Sequence, residues 1–114
     1  SMVQIYVSGL TELIPLAKKA GLPLKTALDI LCTGPAGLPV VRDRIPKILG
    51  DDDTVGFTNS GTAKDNDVFR KILHHFDMRS PMLEGFDRQR AFSEKMGLAE
   101  RDPAELIRAA YDVS

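Results

Sequence analysis

The chain has 114 residues, 15 basic and 16 acidic side chains and 43% hydrophobic residues, the profile of one soluble globular domain, too small for an enzyme with a separate cofactor domain. A formal charge of −1 excludes a general binder of nucleic acid or membrane surfaces, which needs a basic excess. Glu12, Pro15, Lys18 and Lys19 interrupt the longest apolar run, which falls short of the roughly 18 residues a membrane span requires. The single cysteine, Cys32, allows neither an intrachain disulfide nor a thiolate metal cage and fits a reducing, cytoplasmic compartment. Ser1-Met2 lacks the features of a signal peptide, and Ser1 reads as a remnant of cloning, so a longer natural chain is expected.

Apolar residues recur at spacings of three and four, while alternating β-branched runs are scarce, which predicts an all-α domain of about six helices over residues 3–114. The first helix is expected from Val3 to Ala20, buried along Leu10, Leu13, Ile14 and Ala17. Pro15 should kink it, Lys18 and Lys19 suit its negative end, and Gly21 is a good C′ residue. A second helix should begin with Pro23 at its first position, bury Leu24, Ala27, Leu28 and Leu31, and stop at Gly34-Pro35. A third is expected from Pro39 to Leu49, distorted at Pro46, with Val40, Val41, Ile45 and Ile48 inside and Arg42, Arg44 and Lys47 facing water. Residues 50–56 read as a loop.

The fourth helix has a capping-box start in Thr62 and Asp65 and should bury Val68, Phe69, Ile72, Leu73 and Phe76. A fifth runs from Ser80-Pro81 through Met82, Leu83, Phe86, Phe92 and Met96 to Gly97, and a sixth from Pro103 through Leu106, Ile107, Ala110 and Tyr111. The short connections suit a helical bundle.

Most candidate sites fail on spacing. His74 and His75 point about 100° apart on a helix and cannot close on one ion as an i, i+4 pair can. Asp51-Asp52-Asp53 lacks the alternating ligands, central glycine and terminal glutamate of a calcium loop and reads as a solvated turn. Gly34-Pro35-Ala36-Gly37 follows a helix instead of a strand and matches no phosphate-binding pattern, so it reads as a helix stop and tight turn. Cys32 has no base beside it and reads as a packed thiol. Pro23–Leu49 has the outline of a helix-turn-helix, but Arg42, Arg44 and Lys47 are too few for phosphate contacts. No metal site and no nucleic-acid partner are expected.

Gly56–Asp65 is the informative stretch. It puts Phe57 in a loop and Lys64 in the expected first turn of a helix, where a cation opposes the positive end of the dipole. An ammonium there suits an anionic ligand, a carboxylate or a cofactor phosphate, helped by the free N–H groups of the turn. A solvated lysine beside a capping aspartate is the plainer alternative.

Several of these segments resemble the C-terminal helical domain of the β-hydroxyacid dehydrogenases, a family that includes 3-hydroxyisobutyrate dehydrogenase, tartronate semialdehyde reductase and, more distantly, 6-phosphogluconate dehydrogenase. The resemblance is carried by Gly9-Leu10-Thr11-Glu12 with Leu16–Leu22, by Leu28–Leu31 with Gly34, by Gly56-Phe57 and Lys64-Asp65, by Arg79-Ser80-Pro81, and by Gly97–Asp102 with Leu106-Ile107. It implies a parent that oxidises a small hydroxyacid, or reduces the matching semialdehyde, with NAD or NADP as a homo-oligomer. It further implies that Phe57, Lys64 and Asp65 line the cofactor side and that the turn holding Gly34 and Gly37 borders the substrate carboxylate. The family's general-acid lysine motif, Rossmann fingerprint and serine-glycine-glycine loop have no counterpart here. The chain is therefore expected to be one domain of the parent, with no catalytic residue of its own and no tight hold on a dinucleotide. Asn66–Lys71 depart from the family's usual leucine- and alanine-bearing continuation, which motivates the alternative, a divergent non-catalytic helical assembly or interaction module.

Overall fold

A computed structural model describes residues 2–114 as α1 (Met2–Lys19), α2 (Leu24–Cys32), α3 (Pro39–Arg42), α4 (Ile45–Leu49), α5 (Asn59–His75), α6 (Pro81–Lys95) and α7 (Ala104–Asp112). The described residues contain no strand, so the all-α expectation holds. The helices form two compact units: residues up to Thr54 together with Pro103–Ser114, and Val55–Asp102.

In the first unit α1 packs chiefly along α7, while α4 packs on α7 and α2 packs on α1 and α4. Its core holds Val7, Leu10, Ile14, Ala27, Leu28, Cys32, Val41, Ile48, Ala104 and Ile107. The helical assignment continues through Pro15. Lys18 reaches the Tyr111 carbonyl at 3.3 Å with its ammonium 4.6 Å from the Tyr111 ring centre, and the Tyr111 hydroxyl donates to the Leu22 carbonyl at 2.7 Å. The last turn of α7 is thereby fastened to the end of α1.

Several expectations for this unit need correction. Leu13, expected inside, is 50% exposed. Pro23 caps α2 without belonging to it. The single helix expected from Pro39 to Leu49 is two short ones. Pro46 has no N–H to donate to the carbonyl four residues back and its ring crowds that carbonyl, so the helix restarts with Pro46 in the first turn of α4. Lys47 does not face water freely: its ammonium donates to the Thr54 carbonyl and hydroxyl and lies 3.4 Å from Asp52.

The second unit is built differently. α5 packs on α6, and its buried face is Asn59, Ala63 and Asn66. Val68, Phe69, Ile72 and Phe76, expected in the core, are exposed by 48–66%. Asn59, Ala63 and Asn66 share one side of the helix by their spacing of four and three, and the apolar residues fall on the other side. The small Ala63 lets the helices approach, and α6 contributes Leu83, Phe86 and Ser93. Met82 and Met96, also expected inside, are 47% and 37% exposed.

One device ends four helices. After α1, α4, α5 and α6 a residue of positive φ (Gly21, Gly50, Asp77, Gly97) lets its own N–H and that of the next residue turn back onto the last free carbonyls. Gly21 and Leu22 donate to the Lys18 and Ala17 carbonyls at 3.0 Å each, and Gly97 and Leu98 to those of Glu94 and Ser93 at 3.1 and 2.8 Å. Asp77 is the one member that is not glycine.

Candidate functional site

The stretch from Gly56 to Asp65 is organised around the first turn of α5. The helix starts earlier than the capping-box pattern implies: Thr58 is the N-cap, and its hydroxyl accepts from the Gly61 N–H at 2.9 Å. Thr62 is already inside the helix, its hydroxyl donating back to the Thr58 carbonyl at 3.1 Å. Lys64 is therefore the sixth helical residue, about 9 Å of rise beyond the cap. It stands outside the first turn, where the dipole acts most strongly, so the electrostatic conflict inferred from sequence is largely absent.

The free N–H groups expected there are also spoken for. Asn59 donates from its backbone to the Arg101 carbonyl at 3.0 Å, Ser60 to the Ala99 carbonyl at 2.8 Å, and Gly61 to Thr58. The Asn59 side-chain amide donates to the carbonyls of Leu98 and Arg101 at 2.8 and 3.0 Å, and the Ser60 hydroxyl donates to Glu100 at 3.0 Å. The Gly56 N–H donates to the carboxylate of Asp102, which is 1% exposed. The closing loop of the unit thus fills the helix end that a phosphate would otherwise take. Sequence reasoning missed Asn59 and Asp102 as its organisers. The nearest signal was a polar residue after a threonine, which names no distant partner.

Phe57 precedes the cap and is 38% exposed. Lys64 and Asp65 are exposed. With Phe57 they lie at one end of α5, in the second unit, whereas Gly34 and Gly37 belong to the first. The Gly34–Gly37 segment is a tight turn, closed by the Gly37 N–H donating to the Gly34 carbonyl at 2.9 Å and tethered by the Tyr6 hydroxyl on the Ala36 carbonyl at 2.5 Å. Gly37 is buried, and a Cβ there would overlap the backbone carbonyl of Cys32, which accounts for that glycine by packing. Gly34 is exposed with open space around it.

The other titratable groups have structural roles. Cys32 is fully buried, and desolvation, helped by Asp29, raises its pKa against the smaller opposing effect of Arg42. Asp52 accepts from the Thr54 N–H and hydroxyl at 2.9 and 2.7 Å, which, with Lys47 nearby, lowers its pKa. His74 and His75 are exposed. Among the described residues, no group of three His, Cys, Asp or Glu could hold a metal and no helix is long and apolar enough to cross a membrane.

A family model described as NAD-binding of NADP-dependent 3-hydroxyisobutyrate dehydrogenase matches residues 1–110. The chain belongs to that family. No curated relative matches it. The family is one of NAD(P)-dependent hydroxyacid dehydrogenases, the kind that the residue pattern resembled. Tested against such a cofactor, the residues fit an edge contact: Phe57 offers an aromatic surface and Lys64 a cation exposed to solvent. They do not offer a pyrophosphate cradle, because the first-turn N–H groups of α5 already have partners.

Proposed function

We propose that this chain is the helical C-terminal domain of an NAD(P)-dependent β-hydroxyacid dehydrogenase or semialdehyde reductase. In this reading it forms one wall of the cofactor and substrate cleft and takes part in the subunit contact of a homo-oligomer. The observation that carries it is the family match across residues 1–110. The exposed Phe57 and Lys64 at one end of α5 support it, being the residues such a wall needs for a planar ring and an anionic group. Phe57 packs near the nicotinamide, Lys64 binds an anionic group of cofactor or substrate, Asp65 stands beside it, and the Gly34–Gly37 turn borders the substrate carboxylate. When bound, the cofactor exchanges a hydride with the substrate carbon. The dinucleotide fold and the general acid/base come from the rest of the parent.

Steady-state kinetics of the parent protein test the assignment. Lys64→Ala raises the KM for cofactor or hydroxyacid tenfold or more, about 1.4 kcal/mol of binding, and Lys64→Arg retains most of the affinity. Lys64 is exposed, so circular dichroism of either variant stays that of the parent. Unchanged kinetics in Lys64→Ala would remove the residue from the cleft. A parent protein with no such activity would leave the non-catalytic assembly module as the reading.

A further inference from the structure

Residues 51–58 run between α4 and α5 without helix or strand, so no regular element holds Phe57. The ring nevertheless sits between two tied points. On its N-terminal side the Gly56 N–H donates to a carboxylate oxygen of Asp102 at 2.9 Å. On its C-terminal side Thr58 caps α5, and Asn59 donates from its backbone to the Arg101 carbonyl and from its side-chain amide to the carbonyls of Leu98 and Arg101. Both ties end on residues 98–102, within the second unit. The first of them is the more telling. Gly56 is exposed, so water could satisfy its N–H, but water would leave the loop free to move. A carboxylate that is 1% exposed cannot follow such motion. What its bond to Gly56 adds is position.

We infer that Asp102 is a positioning residue, which acts through the Gly56 N–H to hold Phe57 in place before the dinucleotide arrives. The inference rests on the reading of Phe57 as the aromatic beside the nicotinamide. A ring on an untied loop has to be ordered when the ligand binds, and the lost freedom is subtracted from affinity. With both neighbours tied, that ordering is already complete in the free protein. A charged acceptor makes the tie stronger than a neutral one would. Asp102 is too enclosed to touch the ligand itself, and its part is to support a side chain that does.

Steady-state kinetics of the parent protein, with Phe57→Ala, Asp102→Ala and the double variant, test this. Asp102→Ala raises the KM for the dinucleotide about threefold to tenfold, the range for ordering one side chain and its loop on binding, and leaves kcat per folded enzyme within about twofold. Phe57→Ala raises that KM too, and adding Asp102→Ala to it changes nothing more, because the ring to be positioned is gone. Lost stability alone would lower the active fraction without moving KM. Amide exchange of the unmodified parent, followed by NMR, needs no variant to fold: the Gly56 N–H is protected in the free protein, and dinucleotide adds little. An unchanged KM in Asp102→Ala, an equal rise in the Phe57→Ala background, or a Gly56 amide that is protected only with dinucleotide bound would each overturn the inference and leave the proposed function standing. An unchanged KM in Phe57→Ala would instead remove Phe57 from the cleft, and the inference with it.

Discussion

The two units solve the same problem with different materials. The first buries a continuous aliphatic cluster in which Ile14, Leu28, Cys32 and Ile48 are fully enclosed, so its stability scales with the apolar area removed from water. The second has Leu83, Phe86 and Ala63 as its buried apolar residues and adds Asn59, Asn66, Ser93 and Asp102 beside them. It is held by directed contacts: the Asn59 amide on two loop carbonyls, the Asp102 carboxylate on the Gly56 N–H, and surface ion pairs of Arg70 with Asp67 and Asp87 at 2.8 and 2.6 Å. Exposed pairs of that kind contribute little each. The comparison teaches that an apolar cluster tolerates loose geometry, whereas a polar lock works only while every partner is in place.

Substitutions can break that comparison. The largest effect belongs to the first unit: Leu28→Ala opens a cavity in the enclosed cluster and costs about 2–5 kcal/mol in urea unfolding. A loss below about 1 kcal/mol would show that this core is not the tightly packed one described. In the second unit, Asn59→Ala removes two side-chain hydrogen bonds from loop carbonyls that each keep one backbone N–H donor, and costs about 1–2 kcal/mol. Native-state hydrogen exchange should place that loss in residues 55–102 and leave the amides of α1 unchanged. Asp77→Gly relieves a left-handed aspartate and stabilises by about 0.5–1 kcal/mol, which a rise in melting temperature would register. The smallest effect is the most diagnostic. Val68→Gln changes stability by no more than about 0.5 kcal/mol, as suits an exposed position, whereas a core valine would lose several times that.

The sequence was most legible where a signal is local. Gly21 and Gly97 were readable as helix stops because a residue of positive φ is a property of one position. The stripe of α7 was readable because Leu106, Ile107 and Ala110 bury the face that their spacing defines. Legibility failed where two local signals competed and a distant contact chose between them. Thr58 and Thr62 both offer a cap. Thr58 wins because a start at Asn59 lets the first N–H groups reach the carbonyls of Ala99 and Arg101, some forty residues away in sequence. The face of α5 was misread for the same reason: hydrophobic periodicity counts apolar residues, and on this helix the enclosed side is polar and small. Of the candidate site, residue types and spacing were visible early. The occupied helix end was not, because its partners come from the closing loop.

The first unit is discontinuous in the chain, since residues 55–102 stand between its two parts, and this bears on synthesis. α7, the helix that α1 packs against most extensively, leaves the ribosome only after the whole second unit. A nascent chain halted anywhere before Ala104 therefore carries α1 with Val7, Leu10 and Ile14 uncovered, while the contiguous second unit can already close on itself. Folding of the first unit thus waits on synthesis of α7, and chains halted before it expose a long amphipathic helix to chaperones and proteases.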